Sequence, residues 1–75
     1  MTKEEANTKK QNNLHLIDKI YVKVGLGFKM QITRLEVCFR PEDRTNYYVS
    51  CDLRGEKQSY SEDLDIFLRD YYPIG

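Results

Sequence analysis

The chain predicts an α+β domain: a three-stranded antiparallel meander sheet with one C-terminal helix packed on one face. Three observations carry this. Ile20, Val22, Val24, Leu26, Phe28, Met30 and Ile32 alternate strictly with Tyr21, Lys23, Gly25, Gly27, Lys29 and Gln31, a period of two that marks a strand with one buried face. Leu35, Val37 and Phe39, then Tyr47, Val49, Cys51 and Leu53, repeat that period further on. Leu64, Phe67, Leu68 and Tyr71 then recur at i, i+3, i+4 and i+7, the apolar stripe of an amphipathic helix.

Met1–Asn13 (MTKEEANTKKQNN) has no hydrophobic residue beyond Met1 and Ala6. It is expected to be a disordered polar tail over residues 1–13, with the single domain spanning 14–75. Asn13 has the chemistry to cap a short helical stretch over Leu14–Ile17.

Gly25 and Gly27 interrupt the first alternating run where a turn would fall. A three-residue loop Gly25–Leu26–Gly27 pairs Val24 with Phe28, Val22 with Met30 and Ile20 with Ile32, and keeps the apolar side chains on one face. Glycine takes the positive φ that such a loop needs. The phase of alternation then moves from even to odd positions. One extra residue near Thr33–Arg34 restores the match, as a β-bulge does. Pro41 ends this strand, because it has no N–H to give to a ladder. Pairing Leu35 with Leu53, Val37 with Cys51 and Phe39 with Val49 closes the next turn across Glu42–Asn46. Arg54–Lys57 is a further turn, and Gln58–Tyr60 has room for a short fourth edge strand. Ser59 and Glu62 have capping-box spacing, Ser61 is a competing cap, and Glu62, Asp63 and Asp65 suit the positive end of a helix. The helix is expected over Ser61–Tyr72, stopped by Pro73.

At 75 residues, a lone hydrophobic core seldom supplies more than about 3–5 kcal/mol. With 40% hydrophobic and 32% charged residues the composition is that of a globular domain. No apolar run approaches the roughly 20 residues of a membrane span. The polar start lacks the apolar stretch of a secretory signal, so the expected location is the cytoplasm. Formal net charge is zero, yet residues 1–40 carry eight bases against four acids and residues 41–75 the reverse, a split that hints at charged partners.

Catalytic chemistry is poorly served. His15, the single histidine, lies beside the polar segment, away from any nucleophile it could activate. Cys51 falls on the buried face and Cys38 on the other, so they cannot bridge. With His15 they diverge too far to hold zinc. Gly25–Leu26–Gly27 lacks the third glycine of a dinucleotide fingerprint. Asp63 and Asp65, two apart on a helix, diverge instead of facing each other across a substrate. No enzyme activity, cofactor or metal is expected.

Two surfaces remain as binding candidates. An acidic one comprises Asp52, Glu56, Glu62, Asp63, Asp65 and Asp70 around the C-terminal helix, able to imitate a phosphate backbone before a basic groove. A basic-aromatic one comprises Tyr21, Lys23, Lys29, Arg40 and Tyr48 on the open sheet face, the arrangement on which single-stranded nucleic acid stacks and pairs. The plan of Ile20–Tyr72, a small antiparallel sheet with an acidic helix behind a Lys/Asn-rich tail, resembles small phage and mobile-element proteins, among them anti-CRISPR inhibitors of RNA-guided nucleases. The resemblance rests on pattern alone and transfers no site. It implies a non-enzymatic regulator or inhibitor that binds another protein, such as a nucleic-acid enzyme, through the acidic surface. The alternative is nucleic-acid binding by the open sheet face. A homodimer that completes its core through Tyr21, Tyr48 and a sheet edge is a third expectation.

Overall fold

The two alternating runs between Lys29 and Gly55 pair along their length and build the centre of the fold. The computed structural model describes residues 1–74. In chain order they form α1 (Lys3–Asn12), a 3-10 turn over Leu14–Leu16, β1 (Ile20–Lys23), β2 (Lys29–Arg40), β3 (Asp43–Gly55), β4 (Ser59–Asp63), α2 (Leu64–Asp70) and β5 (Tyr71–Pro73). The strands make one antiparallel sheet in the order β4-β3-β2-β1-β5. The α+β class is as expected, but five strands and two helices replace three strands and one helix.

The bulge lies where the change of phase predicts it. Ile32 pairs with Leu53 and Arg34 with Asp52, leaving Thr33 extra. Beyond it the register is two residues from the expected one: Leu35 faces Cys51, Val37 faces Val49 and Phe39 faces Tyr47. The face assignment survives, because a shift of two leaves every side chain on its own side. The shift comes from a second irregularity between Phe39 and Arg40. There Asp43 accepts from the N–H and hydroxyl of Thr45, a local turn that takes up the extra residues.

The first hairpin differs by one residue, which has larger consequences. Lys23 N–H donates to the Phe28 carbonyl at 3.0 Å, so Val24, Gly25, Leu26 and Gly27 form the loop in place of three residues. Gly25 and Gly27 have φ of 81° and 71°, a conformation that costs an L-residue about 1–2 kcal/mol. Tyr21 therefore pairs with Met30, and Ile20 with Gln31. A slip of one turns every β1 side chain over: Tyr21 is fully buried, while Ile20 joins the open face. Burying the large ring favours this register. Tyr21 meets Phe67 edge-to-face, and its hydroxyl donates to the Leu16 carbonyl at 3.2 Å.

Residues 1–13, expected as a disordered tail, are instead largely helical. Thr2 accepts from Glu5 N–H at 3.1 Å and Glu5 accepts from Thr2 N–H at 2.8 Å, a complete capping box. Glu4 and Glu5 occupy the first turn and Lys9 and Lys10 the last, in the sense that the helix dipole favours. Ala6 alone is buried, against β2 and β3, which is why no apolar stripe betrays the helix. Lys9 pairs with Asp65 of α2. The Tyr47 N–H donates to the Met1 carbonyl at 2.8 Å, so the chain begins beside β3.

The C-terminal helix is shorter than expected. Ser59–Asp63 pairs with β3 as β4, and Asp63, not Ser59 or Ser61, caps α2 by accepting from Asp65 N–H at 2.9 Å. Pairing against Ser50–Arg54 satisfies the backbone of both segments, which an extra helical turn would leave to solvent. Tyr71–Pro73 leaves the helix for β1 as β5, and proline is tolerated there because β5 is an edge. Both helices lie on one face over Tyr21, Ile32, Leu35, Val49, Cys51 and Leu53.

Candidate functional site

The structure does not gather the acidic set. Asp52 pairs with Arg34 at 3.1 Å and accepts from Ser61 at 2.8 Å on the open face. Asp63 pairs with Arg40 at 3.1 Å, Asp65 with Lys9, and Asp70 lies 3.8 Å from Arg69. Glu56 is in the β3–β4 turn, and Glu62 pairs with Cys51 in the ladder, on the side opposite Asp63. Four of these carboxylates thus have a cation beside them, and the six are spread over different faces.

The basic-aromatic set is also dispersed. Tyr21 is in the core. Lys23 pairs with Tyr71 on the helix side, whereas Lys29 pairs with Val22 on the open side, so the two lysines point apart. Arg40 and Tyr48 do meet: the guanidinium lies 4.4 Å from the ring centroid, but its Nη2 is engaged by Asp63. Burial raises the Tyr48 hydroxyl above its ordinary pKa.

An apolar end of the sheet stands out instead. The loop that lets Tyr21 turn inward leaves Val24, Leu26 and Phe28 outside, each more than 60% exposed. The same slip places Ile20 and Val22 on the open face, next to Tyr72 of β5, with Ile74 beyond. The Ile74 N–H donates to the Ile20 carbonyl at 3.0 Å, and about half of Tyr72 and of Ile74 is exposed. Two shallow grooves of about 400 and 460 Å³ adjoin at this end. Phe28 borders the first, and Ile20 and Ile74 border the second, with Lys29, Met30, Gly55 and Glu56 shared by both. Gly55 packs closely against Met30 here, since a Cβ there would lie 2.7 Å from the Met30 sulfur.

Strand alternation counted Val24, Leu26 and Phe28 as core, since period two cannot distinguish a strand from the loop between two strands. The signal that could have found them is the spacing of the two glycines, which leaves room for a four-residue loop.

The cysteines fall on opposite faces, as expected. Cys38 faces Tyr48 and Cys51 faces Leu35, and both are free thiols. Burial, with the Glu62 charge adding to it, pushes the Cys51 thiol up to about 12, so it stays protonated and unreactive. Among the described residues no group of three His, Cys, Asp or Glu side chains comes together as a metal set, and no helix is long and apolar enough to cross a membrane.

No protein-family model, curated protein or solved structure gives a significant match to this chain.

Proposed function

We propose that the chain is a non-enzymatic protein-binding module of the regulator or inhibitor kind, and that it binds through the apolar sheet end at Val24–Phe28. One observation carries this reading: large apolar side chains project from a glycine-hinged loop while their sequence neighbour Tyr21 is drawn into the core. Water-exposed Leu and Phe cost free energy, and contiguous apolar surface with a polar rim is characteristic of interaction sites. Lys29, Glu56 and Lys57 supply the rim. A partner would seat an apolar side chain beside Phe28 and Met30, with its own charges on the rim.

The acidic, phosphate-imitating version of the inhibitor reading has less in its favour, because Arg34, Arg40 and Lys9 already neutralise three of its carboxylates. The test compares proteins captured by the wild type with those captured by a Leu26→Asp plus Phe28→Asp variant and by a Glu62→Lys plus Asp70→Lys variant. The loop variant is expected to lose the captured protein and the acidic variant to keep it. The opposite pattern would return the function to the acidic surface.

A further inference from the structure

β2 is longer than the strand that flanks it. β1 pairs only with Lys29–Gln31, and the next bond on that side, from Asp18 N–H to the Ile32 carbonyl at 2.9 Å, is the last. From the bulge onward β2 has β3 on one side and, among the described residues, no strand on the other.

The ladder phase identifies the outward groups. Gly55 N–H donates to Gln58 and Tyr47 N–H to Met1, so the odd residues of β3 turn away from β2 and its even residues turn towards it. Arg34, Glu36 and Cys38, opposite Asp52, Ser50 and Tyr48, therefore bond to β3. Leu35, Val37 and Phe39 direct their N–H and C=O groups outward. Leu35 is 1% exposed, which closes its backbone to a partner. Val37 is half-buried and Phe39 is 48% exposed. The open edge thus consists of two residues flanking Cys38.

We infer that this edge is completed by the same edge of a second copy of the chain, antiparallel about a two-fold axis at Cys38, giving one continuous sheet through two protomers. The edge is self-complementary in this register. Val37 exchanges both backbone bonds with the partner's Phe39, and Phe39 with the partner's Val37. Glu36 and Arg40, paired within their own protomer with Arg34 at 2.8 Å and Asp63 at 3.1 Å, come opposite the partner's Arg40 and the partner's Glu36, so no like charges meet. The neighbouring register, centred on Val37, would need the buried Leu35 backbone and would set Arg34 against the partner's Arg40. Charge and burial therefore select the Cys38 centre. An isologous contact of this kind closes on itself and goes no further. It is also small, so the dimer is expected to be reversible.

The Cys38 thiols then form a non-hydrogen-bonded pair with Cα atoms about 4.5 Å apart, within disulfide reach. This supplies a register-specific probe. Diamide takes two electrons and two protons from the two thiols; an S–S bond forms and its N=N bond becomes an N–N hydrazine.

Sedimentation velocity over a concentration series is expected to show a monomer–dimer equilibrium for the wild type. Diamide is expected to trap that dimer in the wild type and in Cys51→Ser, but not in Cys38→Ser, which still dimerises reversibly. Val37→Pro removes an outward N–H that no intramolecular bond uses and is expected to weaken the dimer about tenfold or more. Should that variant fail to fold, Glu36→Arg, which sets Arg against the partner's Arg40, decides in its place. A monomer at every concentration, an unchanged dimer in the deciding variant, or cross-linking through Cys51 would overturn the inference. Leu26→Asp plus Phe28→Asp leaves this edge intact, so loss of the dimer and loss of the binding partner are separable results.

Discussion

The rings of Tyr21 and Phe67 meet edge-to-face with centroids 5.3 Å apart and planes at 71°, joining β1 to α2 through the middle of the core. Phe67 also stacks on Tyr71 at 4.4 Å, so β1, α2 and β5 converge on one aromatic cluster. Tyr21→Ala is expected to cost about 3–5 kcal/mol in denaturant unfolding, as other buried aromatic truncations do. Tyr21→Phe, which loses only the bond to Leu16, is expected to cost about 0.5–1.5 kcal/mol. Near wild-type stability of Tyr21→Ala would mean that the ring lies on the open face after all.

The N-terminal helix contributes to stability despite its polarity. Thr2→Ala removes the cap and is expected to cost about 1 kcal/mol; Ala6→Asp, which forces a charge against β2 and β3, costs more. The Thr2 hydrogen bonds hold the Glu5 carboxyl below its ordinary value of 4.5. A lowered carboxylate pKa stabilises the fold above the unfolded value and ceases to as pH falls through the folded one. Protection of the α1 amides against exchange should therefore fall on acidification before protection in β2 and β3 does, and Glu5→Gln, which has no carboxylate to protonate, should remove that difference.

Much of the centre was legible in the sequence. The bulge at Thr33 follows from the change of phase between Ile32 and Leu35, and the opposite placement of Cys38 and Cys51 follows from period two. The first hairpin was ambiguous because β1 carries large side chains on both faces: Ile20 and Val22 on one, Tyr21 on the other. Alternation favours the aliphatic pair, whereas the folded state buries the aromatic ring with a carbonyl partner for its hydroxyl. The helix at Lys3–Asn12 has no apolar period to detect, although Thr2 and Glu5 already had capping-box spacing. The short edge strand for which Gln58–Tyr60 had room forms as Ser59–Asp63, but its extension to Asp63 and the strand at Tyr71–Pro73 follow from the unpaired edges of β3 and β1, a tertiary fact that local propensity does not contain. The exposed apolar surface was hidden for the same reason as the register, since its exposure follows from the slip.

Alkaline stability tests the buried thiol. Cys51 is pushed from 9.0 to about 12, and Tyr60 from 10.0 to about 12, by burial first and the influence of Tyr71 second. Raised acid pKa values mean that the unfolded chain loses these protons first, so stability is complete below pH 9 and falls between about 9 and 12. Cys51→Ala is expected to flatten the decline of the unfolding midpoint over that range. Ellman's reagent at neutral pH is expected to modify Cys38 and to leave Cys51 intact until the chain unfolds.

The glycine-hinged loop separates stability from binding. Gly27→Ala is expected to destabilise the fold by about 1–2 kcal/mol, the cost of a Cβ at its positive φ. Leu26→Asp and Phe28→Asp are expected to stay within about 0.5 kcal/mol of the wild type, because these side chains bury little. A large loss of stability in either Asp variant would show that the loop residues belong to the core.

Photo-cross-linking in cells, with p-benzoylphenylalanine replacing one residue at a time, reads the binding surface whatever the partner is. Placed at Phe28, the probe is expected to give a discrete heavier adduct containing a protein other than this chain; placed at Tyr48 on the open sheet face, where a second copy is within reach, or at Glu62 near the acidic helix, it is expected to give no adduct with another protein. Such adducts from Tyr48 or Glu62 with none from Phe28 would contradict the assignment of binding to the apolar sheet end.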